Sequence, residues 1–282
     1  MKSKGKTLLT VMVALIIGLC LLVLVFGSMF NPARVNSDQI VAAPEPADIS
    51  LGDRVFAVQP VKLGNPNVYF IGTTQGHIMV DVGMPNLEKQ LDEVFDKARV
   101  DPKSVNLIIL THGHMDHVGS IAYAKKLTGG DVLCHQSYAQ ALESGDIEPA
   151  VAQNFTGRLL NLMTGLLGTK FEGVKPDIVV TDEFDLSEYG IAGRIIHTPG
   201  HSPSSLSIIL DNGEALVGDI VREEEPGVIG IGMFYEDEQA LLESLEKIAA
   251  YESSIIYLSH GTYTDNLALV NAIETIKAET GN

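Results

Sequence analysis

The residues in this sequence best able to do chemistry are histidines and aspartates. "THGHMDHVGS" sets His112, His114, Asp116 and His117 within six positions, directly after the apolar run "LIIL". Neutral imidazole and carboxylate are the donors that suit Zn2+, Fe or Mn, and one histidine alone would seldom support that reading. Four candidate donors in six positions do support it. On a helix His112 and His114 would diverge by two steps of about 100°, so Thr111 to His117, with Gly113 inside it, is expected to be a loop that converges them. Further along, "HTPGHSPSS" supplies His201, "ALVGD" supplies Asp219 and "YLSH" supplies His260, each at or just beyond the end of a strand-like run. Upstream, "MVDVG" places Asp81 in the same way. Pro199, Gly200 and Pro203 are expected to fix the turn that presents His201. His197, His77 and His135 are expected to be structural.

Positioning these groups needs strands that end together. Short β-type runs come first ("RVFAV", "NVYFIGT", "HIMVDVG"), followed by the amphipathic "NLEKQLDEVFDKARV", the buried-strand signal "NLIIL" and a helix expected over Val118 to Leu127. The second half alternates again, with strands in "DIVV", "GRIIH", "SLSIIL", "EALVGD" and "SIIYLS" and helices in "EQALLESLEKIAAY" and "NLALVNAIETIKAE". Strands and helices in both halves predict an α/β layered domain. Its metal-type residues would stand at strand ends, where binding groups of α/β sheets commonly lie. A more helical segment, about residues 136–177, interrupts the alternation.

The 45% hydrophobic content is enough for a substantial core, so disorder is not expected. The N-terminus reads differently. Lys2, Lys4 and Lys6 precede an uncharged run from Thr7 to Phe30. As a helix that run would be about 36 Å long, against a hydrocarbon core of roughly 30 Å. Residues 1–30 are therefore expected to form an uncleaved transmembrane signal anchor, with the rest of the chain outside the cytoplasm, or secreted were the segment cleaved. Residues 31–49, rich in proline, read as a linker, and 50–282 as the catalytic domain with its insertion at 136–177. The net charge of −17 would repel a phosphate backbone, so no nucleic-acid partner is expected. With Cys20 inside the anchor, Cys134 has no partner in the domain, which excludes a disulfide framework and a cysteine-rich zinc motif.

The HxHxDH motif followed in order by His201, Asp219 and His260 resembles the metallo-β-lactamase-fold hydrolase superfamily. "THGHMDHVGS" and "HTPGHSPSS" are similar to its glyoxalase II-like and lactonase-like branch. The likeness runs from about Ser50 to the C-terminus, and no ligand position is missing. It implies a four-layer αββα sandwich with two divalent metal ions, zinc first with iron or manganese as alternatives, at one edge of the sheets. By position, His112, His114 and His201 would hold one ion, and Asp116, His117 and His260 the other. Asp219 would bridge them, and Asp81 would orient a ligand from behind.

Two metals about 3.5 to 4 Å apart can share a water and bring its pKa to about 7, giving a hydroxide able to attack a carbonyl carbon. Asp116 or a metal-bound water would then hand a proton to the leaving group. This describes hydrolysis of an ester, thioester, lactone or amide, with a small ester, thioester or lactone as the leading expectation. The resemblance implies that β-lactam cleavage is disfavoured, since true β-lactamases of the family generally lack an aspartate at the Asp219 position. The alternatives are a mononuclear iron persulfide dioxygenase-like oxidoreductase and a non-catalytic metal-binding module. Nothing in the sequence sets the oligomeric state.

Overall fold

Successive residues of a strand point to opposite faces, so a strand apolar on both faces needs cover on both. In the computed structural model, which describes residues 55–58, 66–165, 170–225 and 227–280, the central strands follow this pattern. Strands β1 (Val55–Val58), β2 (Val68–Thr73), β3 (Gly76–Val80), β4 (Val105–Ile109), β5 (Asp131–His135) and β6 (Ile178–Val180) form one sheet in that order. Pairing is antiparallel from β1 to β3 and parallel from β3 to β6. A second sheet has the order β7 (Glu183–Asp185), β8 (Gly193–His197), β9 (Leu206–Leu210), β10 (Glu214–Leu216), β13 (Ile255–Tyr257) and β14 (Tyr263–Thr264). A separate hairpin of β11 (Arg222–Glu225) and β12 (Val228–Gly230) lies between β10 and β13 in the chain.

Leu107 and Ile109 of β4 meet Leu206, Ile208 and Leu210 of β9 in the apolar layer between the sheets. Ile108 and Leu110 face the other way, into a layer closed by α1 (Glu88–Ala98), the single turn α2 (Met115–Val118), α3 (Ile121–Thr128) and α4 (Ala139–Ser144). The i, i+3, i+4 spacing of Leu91, Val94 and Phe95 gives α1 its buried stripe. A further helix, α5 (Phe155–Gly165), lies within residues 136–177, the stretch expected to be an insertion. On the far side of the second sheet, Ile209 and Ile256 pack under α6 (Glu238–Ala249) and α7 (Asn266–Thr280). Asp237 caps α6 by accepting a hydrogen bond from the Ala240 N–H at 3.0 Å. Leu241, Leu245 and Ile248 then point inward. The layers run helix, sheet, sheet, helix. Truncating one such core leucine to alanine costs about 2 to 5 kcal/mol.

Two expectations change. Thr111 to His117 is a loop only as far as His114, because the His114 carbonyl accepts from the His117 and Val118 N–H groups and starts α2. The expected helix over Val118 to Leu127 is instead α2 and α3, separated at Gly119 and Ser120. The expected anchor at 1–30 and linker at 31–49 lie outside the described residues. Among the described residues no helix is long and apolar enough to cross a membrane.

Candidate metal centre

Five strands deliver the site. β3 and β4 run parallel and end at Asp81 and at the Thr111 loop. In the second sheet, β8 and β10 are each antiparallel to β9, and β13 is parallel to β10, so these three also share one direction. They end before His201, Asp219 and His260 respectively. Gly200 lets the His201 loop lie against α6, since its φ is +130° and a Cβ there would fall 2.3 Å from the Leu241 backbone.

All seven candidate ligands come together. His112, His114 and His201 form one group able to hold an ion, Asp116, His117 and His260 form another, and Asp219 joins His112 and His117 in a third overlapping set. In the first group His114 Nδ1 lies 3.0 Å from both His112 Nε2 and His201 Nε2. In the second, His260 Nε2 is 3.3 Å from Asp116 Oδ2 and His117 Nε2 is 3.8 Å from Asp116 Oδ1. Asp219 reaches both, with His260 Nε2 at 3.2 Å, His117 Nε2 at 3.4 Å and His201 Nε2 at 3.9 Å.

Hydrogen bonds behind the ligands set which nitrogen is free. His117 Nδ1–H donates to Asp81 Oδ2 at 2.8 Å, and His201 Nδ1–H donates to the Phe234 carbonyl at 2.8 Å. His112 Nδ1 lies 3.0 Å from Thr111 Oγ1, which in turn donates to Asp81 Oδ2 at 2.8 Å. Each bond keeps a proton on Nδ1 and turns Nε2 toward the centre. Asp81 also accepts from the Thr111 N–H at 2.8 Å, and its backbone holds φ at +59° to do so.

The two groups differ in charge. Burial, reinforced by neighbouring histidines, holds His112 well below the usual imidazole range. Burial likewise takes His114 to about 4 and His201 to about 3. Burial alone would lower His117 and His260 too, but Asp219 and the other carboxylates outweigh it. His117 therefore rises well above its ordinary value, and His260 rises to about 9. Burial would raise Asp116 and Asp219, yet His117 and His260 hold both below the usual carboxylate range.

These residues fit divalent ions. Nitrogens about 2.0 to 2.1 Å from one tetrahedral ion lie roughly 3.3 Å apart, close to the 3.0 Å spacing of the three neutral imidazoles. His114 Nε2, on the other side of its ring, is buried without a hydrogen-bond partner. His117 Nε2 and Asp219 Oδ1 are also buried without hydrogen-bond partners, although they face each other.

Three residues around the site were not foreseen from sequence. Thr111 links Asp81 to His112, Phe234 supplies the carbonyl behind His201, and Glu148 contacts the His112 loop from the inserted segment. Thr111 stands directly before the motif, which is a usable signal. Phe234 acts through its backbone, and Glu148 is distant in sequence, so neither carries one. His197 and His135 lie outside the ligand set and stack on each other at 3.9 Å. His77 Nδ1 pairs with Ser104 Oγ at 2.8 Å.

The chain is similar to a Caenorhabditis elegans protein named Beta-lactamase-like protein 2 homolog, 26% identical over 74% of this chain and 60% of that protein. It thus spans about 60% of the length of that relative. An atrochrysone carboxyl ACP thioesterase of Passalora fulva is 24% identical over 86% of this chain and 65% of that protein. The fold is also that of an archaeal metallo-beta-lactamase superfamily protein from Sulfolobus tokodaii, with a TM-score of 0.59 at 19% identity, covering 79% and 86% of the two chains. The family model described as Metallo-beta-lactamase superfamily matches residues 61–260, which hold every strand but β1 and β14 and every ligand named above. On that match, with its fold and its histidine and aspartate groups able to bind divalent metal, the chain belongs to the metallo-beta-lactamase superfamily.

Proposed function

We propose that the protein is a dinuclear metal-dependent hydrolase acting on a small ester, thioester or lactone. The observation that carries this reading is the meeting of two three-residue ligand groups at one carboxylate, Asp219. His112, His114 and His201 would hold one divalent ion, and Asp116, His117 and His260 the other. Zinc suits the donors, with iron or manganese as alternatives. When bound, such ions lower the pKa of a water and polarise a carbonyl oxygen.

The chain's own groups do the rest. Asp81 keeps the His117 proton on Nδ1, and Phe234 does the same for His201. Asp116 is 30% exposed and His260 14%, while His112 is buried, so a substrate would approach across the Asp116 and His260 side. Asp116 on that side would take the proton of the attacking water and pass it to the leaving group. The name of the Passalora fulva relative favours a thioester within this class.

The charge-free run from Thr7 to Phe30, after three lysines, supports an anchored domain outside the cytoplasm, with the membrane met through that segment. Protease protection of the C-terminal domain in intact cells would contradict that placement.

An ester, thioester and lactone panel, run on the purified protein before and after chelation, tests the activity. Hydrolysis should disappear on chelation and in an Asp116→Ala, His201→Ala double variant. Full activity in that variant would overturn the reading. One equivalent of iron, with oxygen uptake on a persulfide, would replace it by an oxidoreductase.

A further inference from the structure

The inserted segment touches the metal centre from behind through one carboxylate. After α4 the chain brings Glu148 against Gly113, the residue between His112 and His114. The two form a reciprocal pair: the Gly113 N–H donates to Glu148 Oε2 at 2.9 Å, and the Glu148 N–H donates to the Gly113 carbonyl at 2.7 Å. The same Oε2 accepts the Ser204 hydroxyl at 2.5 Å. Ser204 follows His201 by three positions, and its own N–H donates to Ser202 Oγ at 3.3 Å. Gly113 has no room for a side chain, because a Cβ would fall 2.5 Å from the Tyr138 ring and 2.9 Å from Glu148 Oε2.

We infer that Glu148 is a positioning residue for the all-histidine group: it ties the loop carrying His112 and His114 to the loop carrying His201. The loops come from different sheets, so their separation is not set by strand pairing. The loops also meet directly, the Leu206 N–H donating to the Thr111 carbonyl at 2.8 Å and the Gly113 N–H to Ser204 Oγ at 3.2 Å, and Glu148 adds a charge-assisted acceptor shared between them, a kind of bond roughly twice as strong as a neutral one. The mixed group of Asp116, His117 and His260 has no hydrogen bond to Glu148 among the described contacts, so the effect is confined to one half of the site. This inference rests on the two-metal reading above.

Cobalt(II) titration of the full chain, followed by visible absorption, tests it, with His201→Ala and His260→Ala as spectral references for the two halves. In Glu148→Ala the equivalent whose spectrum His201→Ala removes should bind about 10- to 100-fold more weakly. The equivalent that His260→Ala removes should be unchanged. Glu148→Gln, whose amide oxygen can accept both hydrogen bonds, should restore most of the affinity. Ser204→Ala breaks the tie at its other end and should weaken the same equivalent, which keeps the test valid if Glu148→Ala does not fold. Wild-type titration curves in Glu148→Ala, or equal weakening of both equivalents, would overturn the inference alone. A wild-type protein that binds no cobalt would overturn the two-metal reading, and this inference with it.

Discussion

The two halves of the site use different means to present ligands. His112, His114 and His201 are buried among one another, and burial keeps them neutral down to about pH 4 for His114 and about 3 for His201. Asp116 and His260 lie nearer solvent, His117 is fully buried, and both histidines face carboxylates, which leaves His260 protonated up to about pH 9 in the absence of metal. One half is ready for a cation because burial has excluded protons. The other half is held together by protons that a cation must displace. Metal sites require deprotonated ligands, so the halves should fill in order and with different pH dependence.

Asp219 is the point where this contrast can be broken most severely. It faces His117, His260 and His201, and Asp219→Ala should lower hydrolysis by about 10²- to 10³-fold, equivalent to several kcal/mol of lost charge stabilisation. Steady-state kinetics with saturating metal would measure it, and a loss below tenfold would mean that Asp219 does not join the halves. His201→Ala and His260→Ala separate them. Each should remove one equivalent in a metal titration and leave the other, whereas loss of both from either variant would show a single cooperative site.

Proton release sharpens the comparison further. Filling the all-histidine half at pH 7 should release almost no proton, while the mixed half should release protons from His117 and His260. Calorimetry in buffers of different ionisation enthalpy reads this directly, and equal release by both equivalents would erase the distinction. Asp81→Ala should weaken the mixed half most, by about 10- to 100-fold, since Asp81 holds the His117 ring directly and His112 only through Thr111.

The smallest effect is on metal-free stability. His114 and His201 titrate lower in the folded than in the unfolded chain, so their contribution is present above about pH 6.5 and is lost as pH falls toward 4 and 3. His260 titrates higher, so its contribution is present below about pH 6.5 and is lost as pH rises through about 9. The Tm of the metal-free protein should therefore peak near pH 6.5, and a flat profile from 5 to 9 would contradict these assignments.

Much of this architecture was legible from residue order. Apolar runs ending at Asp81, Thr111, Asp219 and His260 mark strand ends, and the density of "HGHMDH" marks the ligand loop. Less legible was what four-residue elements and backbone groups do. The single turn α2, which carries Asp116 and His117, is too short for apolar periodicity to reveal. The partner of His201 is a carbonyl, identical in every residue type, and Glu148 meets Gly113 only because the insertion folds back over the loop. The apolar stretch of that insertion left its packing undetermined in sequence. In α5, Phe155 is 80% and Leu162 65% exposed, while Gly157 is buried.

Metal content and hydrolysis measured together on the same purified protein test the two-part site most directly. Stepwise addition of zinc to chelated protein should show two equivalents, the first binding without proton release and the second releasing protons, with acyl hydrolysis reaching its maximum only on the second. Full hydrolysis at one equivalent, or hydrolysis that survives chelation, would contradict it.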